Sequence, residues 1–145
     1  MALEWTDELS VGNATLDFEH KGLILAVSDI AHAIKERKLG ALKQWFEYLE
    51  WRLQSHFLSE ELLAKAANYD FSGHKVAQQY SLNEIQNLKN ELFGKKIWSD
   101  HAAEHYIQFL ERWIIDEHIL RLDMKMKSVL LTLPYELSLG KHRAV

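Results

Sequence analysis

Cysteine is absent from this chain of 145 residues, and proline occurs only once, at Pro134 near the C-terminus. The absence of thiols excludes both a disulfide framework and a thiolate metal site. The single proline lies just beyond the last helix-like segment, so no proline interrupts the segments described below.

Clusters of basic residues and long apolar runs are also missing. The chain has 17 Lys and Arg against 21 Asp and Glu, a formal net charge of -4, so nucleic acid is not an expected partner. No apolar run is long enough to span a bilayer, and the acidic N-terminal stretch lacks the apolar region of a signal peptide. We therefore expect no membrane partner and a cytoplasmic location.

Apolar residues recur with the 3.6-residue period of helices along almost the whole chain, and no segment of any length alternates with period two. This pattern predicts four helices, at about residues 16–38, 41–67, 72–93 and 99–133. Tryptophan and phenylalanine residues on them, Trp51 included, are predicted to pack in the core. Several glycines, such as Gly40, are expected at or near the helix breaks.

Short connections between long helices make consecutive helices antiparallel neighbours. The sequence therefore predicts an all-α fold, an up-down-up-down antiparallel four-helix bundle with an N-terminal extended arm. We expect a single domain over residues 1–145, with the arm at 1–15, the bundle at 16–133 and a C-terminal tail at 134–145.

Side chains of metal-ligand type lie in order along the four predicted helices. Imidazole and carboxylate groups together suit iron and similar first-row metals. His56 and Glu60 share one helix face because residues four apart are stacked neighbours. Antiparallel packing would bring all the positions to the same end of the bundle. The candidate metal ligands are His20, His56, Glu60, His74, His118 and Asp123.

The remaining histidines do not fit this cluster. His105 lies 13 residues before His118 on the same predicted helix, which corresponds to about 20 Å. His101 lies one turn farther away, and His32 is 12 residues beyond His20. His142 falls in the tail. We expect none of these four histidines to bind the metal.

The spacing between His118 and Asp123 does not fit one face of a regular helix. Five residues separate two side chains by roughly 140° on an ideal α-helix. Two explanations stay open: the carboxylate approaches the metals from the side, or a local π-bulge realigns it.

Several motifs resemble the bacterial hemerythrins when taken in combination, over about Trp5 to Val129. They are W-x(5)-VG at 5–12, D-x-x-H-K at 17–21, HF-x-x-EE at 56–61, the approach from Tyr69 to His74, and W-x(4)-HI-x(3)-D at 113–123. The resemblance implies a four-helix bundle holding two iron ions in an oxo- or hydroxo-bridged di-iron centre.

Carried over by motif, the resemblance assigns His20 and His56 to one iron, and His74 and His118 to the other. Glu60 and Asp123 would bridge the pair. Two carboxylates cancel much of the charge that two irons would bring into the core, where an uncompensated charge is very costly.

Gln78 is the position where the chain departs from the family pattern. The family has H-x-x-x-H on the third helix, whereas this chain reads HKVAQ, with glutamine at the position of a missing ligand histidine. Gln78 has two possible roles here: coordination through its amide oxygen, a weaker ligand than imidazole, or a hydrogen bond within the site.

The resemblance implies O2 or small anions as ligands of the iron pair. Our leading expectation is a protein that binds O2 or responds to oxygen or redox state, with no catalytic residue assigned. Its partner would be a signalling or oxygen-consuming protein. Two alternatives stay open: an O2 carrier or store, and an enzyme such as a di-iron peroxidase or nitric-oxide-reacting protein. A metal-free bundle used for protein interaction is the structural alternative.

Overall fold

A computed structural model describes residues 3–139 and confirms the all-α four-helix bundle. Helix α1 spans Ala14–Lys35, α2 spans Leu39–Ala66, α3 spans Ser72–Lys95 and α4 begins the fourth helix at Asp100–Glu111. Each helix packs against its neighbours in sequence, and α4 closes the ring against α1. None of the helices among these residues is both long and apolar enough to cross a membrane.

The fourth helix is composite. After α4 the backbone continues as a π-helical segment over Arg112–Leu122, then as a 3-10 turn over Asp123–Met126 and a short helix α5 at Lys127–Leu130. The amide N–H of Asp123 donates to the carbonyl of His118, five residues earlier, which is the π-helical pattern. The structure therefore agrees with the π-bulge explanation for the His118–Asp123 spacing.

Helix ends are set by caps and by left-handed residues that are not glycine. The Asn13 side chain accepts a hydrogen bond from the Leu16 amide and caps α1, and α1 therefore begins inside the stretch predicted as an arm. The turns after α1, α2 and α3 use Arg37, Asn68 and Lys96, each with φ between 56° and 64°. Gly40 lies in the first turn of α2, next to the break between α1 and α2, as expected.

The apolar core has two parts. The larger one fills the middle of the bundle and includes Phe46 and Trp113. The smaller one closes the end where α1 and α3 begin, and its buried members are Val11, Leu16, Leu63, Ala64, Met126 and Leu130. The prediction that Trp51 packs in the core was wrong, because its side chain is 63% exposed.

Asp17 holds part of the N-terminal arm and part of the C-terminal tail against α1. Its buried carboxylate accepts hydrogen bonds from the Ser10 hydroxyl, the Val11 amide and the Tyr135 hydroxyl. The amide N–H of Ala14 also donates to the carbonyl of Tyr135, at 2.8 Å. These contacts tie the N-terminal arm and the C-terminal tail together at the end of the bundle that carries the candidate ligands.

Candidate metal centre

The candidate ligands come from all four helices and meet at one end of the bundle. His20 lies in the second turn of α1, His56 and Glu60 lie near the end of α2, and His74 lies in the first turn of α3. His118 belongs to the π-helical segment, and Asp123 follows directly after it. All six side chains are buried.

Asp123 lies at the centre of this group. Its Oδ2 atom is 2.7 Å from His20 Nε2 and 3.1 Å from His56 Nε2. The same oxygen is 3.0 Å from His118 Nε2, whereas Oδ1 is 3.1 Å from His74 Nε2. One carboxylate therefore faces four imidazoles, three with one oxygen and one with the other.

Glu60 repeats this division with its own two oxygens. Oε2 is 3.5 Å from His56 Nε2, and Oε1 is 3.5 Å from His74 Nε2. Both carboxylates thus direct one oxygen toward His56 and the other toward His74. A carboxylate that faces two ligand groups in this way is suited to bridge two metal ions.

The ligand atoms form two groups that share Asp123, each with its atoms within 4.8 Å of one another. One group contains Asp123 with the histidines of α1, α2 and the π-helical segment; the other contains Asp123 with Glu60 and His74. The pairing carried over by motif put His118 with His74, whereas the structure groups His118 Nε2 with His20 and His56.

Unpaired buried atoms indicate that the site fits a metal. Glu60 Oε2 and His118 Nε2 are buried and make no hydrogen bond of suitable geometry among residues 3–139, although His118 Nε2 lies 3.0 Å from Asp123 Oδ2. The nitrogens His20 Nε2 and His56 Nε2 face each other at only 3.0 Å. Buried polar atoms normally have partners, and a metal would satisfy these acceptor atoms together.

The local charges perturb the protonation of the metal-free cluster in opposite directions. Burial, aided by the neighbouring His56, lowers the pKa of His20 to about 4. Burial alone would also lower the pKa of His56, but the charge of Glu60 and hydrogen bonds with Asp123 and Glu19 raise it to about 10. Hydrogen bonds with Asp123 and Glu60 likewise outweigh burial and raise the pKa of His74 to about 9.

The two carboxylates also shift in opposite directions. Burial and the charge of Asp123 raise the pKa of Glu60. Burial would raise the pKa of Asp123 too, but His118 and the other imidazoles around it hold that pKa well below its usual value. Without metal, positive imidazoles compensate the buried Asp123 charge.

Metal uptake near neutral pH should release about two protons per chain from His56 and His74, because metal ligation requires neutral imidazoles. His56 and His74 are protonated there, with pKa values of about 10 and about 9. Raising the pH toward these values removes the protons in advance, so uptake should tighten and release fewer protons. Titration with zinc, a redox-silent probe, in weakly buffered solution with an indicator dye measures the release. If His74→Ala leaves the number of released protons unchanged, the prediction is wrong.

Glu19 is a contributor that the sequence analysis missed. Its Oε1 atom is 2.8 Å from His56 Nδ1, and its Oε2 atom accepts a hydrogen bond from the Ser59 hydroxyl at 2.8 Å. A carboxylate on the far nitrogen of a ligand histidine fixes the tautomer and orientation of the ring. The only sequence signal was an acidic residue next to His20 on a helix face that is otherwise buried.

Gln78 lies inside the site, one helical turn after His74. Its amide nitrogen donates a hydrogen bond to Glu60 Oε1 at 2.8 Å, and the side chain is buried. The amide group therefore faces one of the two carboxylates that would bridge the metals. It also forms part of the wall of an open groove of about 350 Å³ between α2 and α3.

Aromatic rings surround the imidazoles on the core side. The Trp113 ring stacks on His118 with centroids 5.9 Å apart, and Phe57 lies 5.8 Å from the same imidazole. Phe71 stacks on His74 at 4.8 Å. Trp113 and Phe57 belong to the main core and cover the inner side of the His118 imidazole. His118 also borders a groove of about 240 Å³ between α3 and the π-helical segment.

The histidines excluded on spacing lie away from the cluster. His32, His101 and His105 are exposed, and His142 lies outside the described residues. Replacing all four with alanine should leave the metal content unchanged, because none of the three described ones belongs to either ligand group. Metal analysis of the purified quadruple variant beside the native chain provides the check. Loss of metal would contradict the bundle register described here.

Curated relatives cover most of the chain. A myohemerythrin of Theromyzon tessulatum is 25% identical over 128 residues, which are 88% of this chain and 92% of that protein. A bacteriohemerythrin of Pseudomonas aeruginosa (strain LESB58) is 27% identical over 115 residues, which are 79% of this chain and 72% of that protein. A bacteriohemerythrin of Pseudomonas paraeruginosa matches at the same identity and coverage. No family model matches the chain, and no solved structure matches it.

Proposed function

We propose, from the similarity of the chain to hemerythrins, that it is a non-haem di-iron protein that binds O2 or responds to oxygen and redox state. The ligands would be His20, His56, Glu60, His74, His118 and Asp123, in a carboxylate-bridged pair within the bundle core. Bound iron would supply the reversible one-electron chemistry and the affinity for O2 that the side chains themselves lack.

The observation that carries this proposal is that two carboxylates face the same pair of imidazoles. Asp123 and Glu60 each direct one oxygen toward His56 and the other toward His74. A site for one metal needs no second carboxylate of this kind. Two anionic side chains also offset part of the charge of two divalent cations in a region without bulk water.

The surrounding residues of the chain would hold the ligands in place. Glu19 accepts a hydrogen bond from the Nδ1–H group of His56 and so holds Nε2 toward the cluster. Gln78 donates to Glu60 Oε1 and orients that carboxylate. The rings of Trp113 and Phe57 pack on the His118 imidazole and limit access of water from the core side.

A metal count combined with optical spectra tests the proposal directly. The protein, expressed with iron and purified, should contain about two irons per chain, as two bridging carboxylates require. Its spectrum in air should differ from its spectrum after anaerobic reduction, and readmission of O2 should change it again. A protein that binds one metal or none after loading, or whose spectra do not respond to O2, would contradict the proposal.

An enzymatic role is the second candidate, as a di-iron peroxidase or nitric-oxide-reacting protein. The two grooves that reach Gln78 and His118 favour it, because small molecules could approach the cluster from either side of α3. Consumption of hydrogen peroxide or nitric oxide by the iron-loaded protein over many turnovers would distinguish it from simple binding. A single stoichiometric reaction would leave the binding role.

A further inference from the structure

The outer surface of α1 and α2 exposes large apolar side chains that the bundle does not use. Phe18 and Leu25 on α1 are 69% and 66% exposed, and Trp51 on α2 is 63% exposed. The rings of Trp45, Tyr48 and Trp51 follow one another along α2, with centroid distances of 5.7 and 6.2 Å. Contiguous exposed apolar surface of this kind is typical of an interaction site, whereas single exposed residues are not. We call this surface the α1–α2 face.

The α1–α2 face has a projecting part and a recessed part. The guanidinium of Arg52 covers Gly22, where an added Cβ atom would lie only 1.8 Å from it, so the Arg52 side chain crosses over α1. Trp51 projects beside this crossing. Farther along, toward the end of α1, a groove of about 490 Å³ is lined by Leu25, Asp29, Tyr48 and others.

Opposite charges lie at the two ends of the same face. Arg52 is level with Gly22, and Asp29 is seven residues farther along α1, about 10 Å along the helix axis. A two-fold axis midway between them would pass near Leu25 and Tyr48. It would bring Arg52 of one copy opposite Asp29 of the other, and Trp51 of each copy opposite the groove of its partner.

We propose that the α1–α2 face binds a second copy of this chain in a two-fold symmetric dimer. In such an interface the same patch serves both partners and must complement itself, as this face does in shape and in charge. The face is only two helices wide, which places it among the smaller specific interfaces. We therefore expect a dissociation constant on the order of 100 µM or tighter.

Sedimentation equilibrium of the iron-loaded full chain tests the dimer, with concentrations from about 5 to 500 µM to span that constant. Trp51→Ala should weaken association at least about tenfold, because aromatic anchors carry much of the energy of an interface. Asp29→Arg should do the same by opposing two positive charges. The double variant Asp29→Arg with Arg52→Asp should restore association, since it exchanges the two charges.

Controls separate association from folding. Tyr80→Ala removes an aromatic ring that is 65% exposed on α3, away from this face, and should leave association unchanged. Because Arg52 also packs across Gly22, Trp51→Ala and Asp29→Arg test the interface without altering that contact. Equal iron content and thermal midpoints verify that each variant is folded. A monomer at the highest concentration, or a dimer that Trp51→Ala does not weaken, would overturn the proposal.

Discussion

Asp123→Asn is expected to reduce the iron content to about one per chain or fewer and to lower the thermal midpoint by about 10 °C. The amide keeps the shape of the side chain but removes the anionic charge and one acceptor oxygen. Those two oxygens face His20, His56, His118 and His74 within 3.1 Å, so no other residue can replace them. Iron analysis and thermal unfolding of purified protein measure both effects.

Asp116→Asn is the matched control for this substitution. Asp116 lies on the same π-helical segment, but its side chain is exposed and belongs to neither ligand group. It should retain the native iron content and thermal midpoint. An Asp123→Asn protein with two irons per chain would show that Glu60 alone is a sufficient bridge, and the central role assigned to Asp123 would be wrong.

Gln78→His is expected to slow oxidation of the reduced protein by O2 at least about tenfold, the size of change that an altered ligand environment produces. An imidazole one turn after His74 would add a strong ligand on the same helix face, where the native amide only hydrogen-bonds Glu60. One fewer coordination position would then be open to water or anions. Stopped-flow mixing of reduced protein with O2, followed optically, gives the oxidation rate.

Two further variants separate ligation from other effects at this position. Gln79→His places the same imidazole on the neighbouring, exposed residue of α3 and should oxidise at the native rate. Gln78→Leu removes the amide without supplying a ligand, so it tests the hydrogen bond to Glu60 alone. If the native protein already forms a stable, reversible O2 complex, a histidine at position 78 is not needed for reversible O2 binding. The carrier role would then be favoured.

The bundle could be predicted from the sequence because helix period and helix length are local properties. The meeting of the ligand residues followed from the same reasoning, since antiparallel helices place His20, His56 and His74 at one end once the turns are known. The alignment of Asp123 with His118 could not be predicted. It depends on a change of backbone hydrogen bonding over Arg112–Leu122, which the five-residue spacing indicated only as one of two possibilities.

Two other features escaped prediction for different reasons. Glu19 contacts His56 only after α1 and α2 pack together, and its neighbour in sequence, His20, gives no hint of that partner. The exposure of Trp51 arises because it faces outward from α2, while Leu49 and Leu53 on either side of it are buried. Two residues correspond to about 200° on an α-helix, so Trp51 lies opposite the buried face, and strict helix periodicity would have predicted its exposure.

The π-helical segment sets both the position of Asp123 in the cluster and the packing of the apolar residues that close this end of the bundle. Met126 and Leu130 follow Asp123, and they pack with Val11 and Leu16 at the end of the bundle where α1 begins. Removing one residue from Arg112–Leu122 would rotate Asp123 and both apolar residues together, by about 100°. A substitution therefore changes one side chain at a time. An insertion or deletion in Arg112–Leu122 changes the position of a candidate metal ligand and the packing at the end of the bundle together. A change in the length of this segment is therefore expected to remove Asp123 from the cluster in one step rather than to adjust its position gradually.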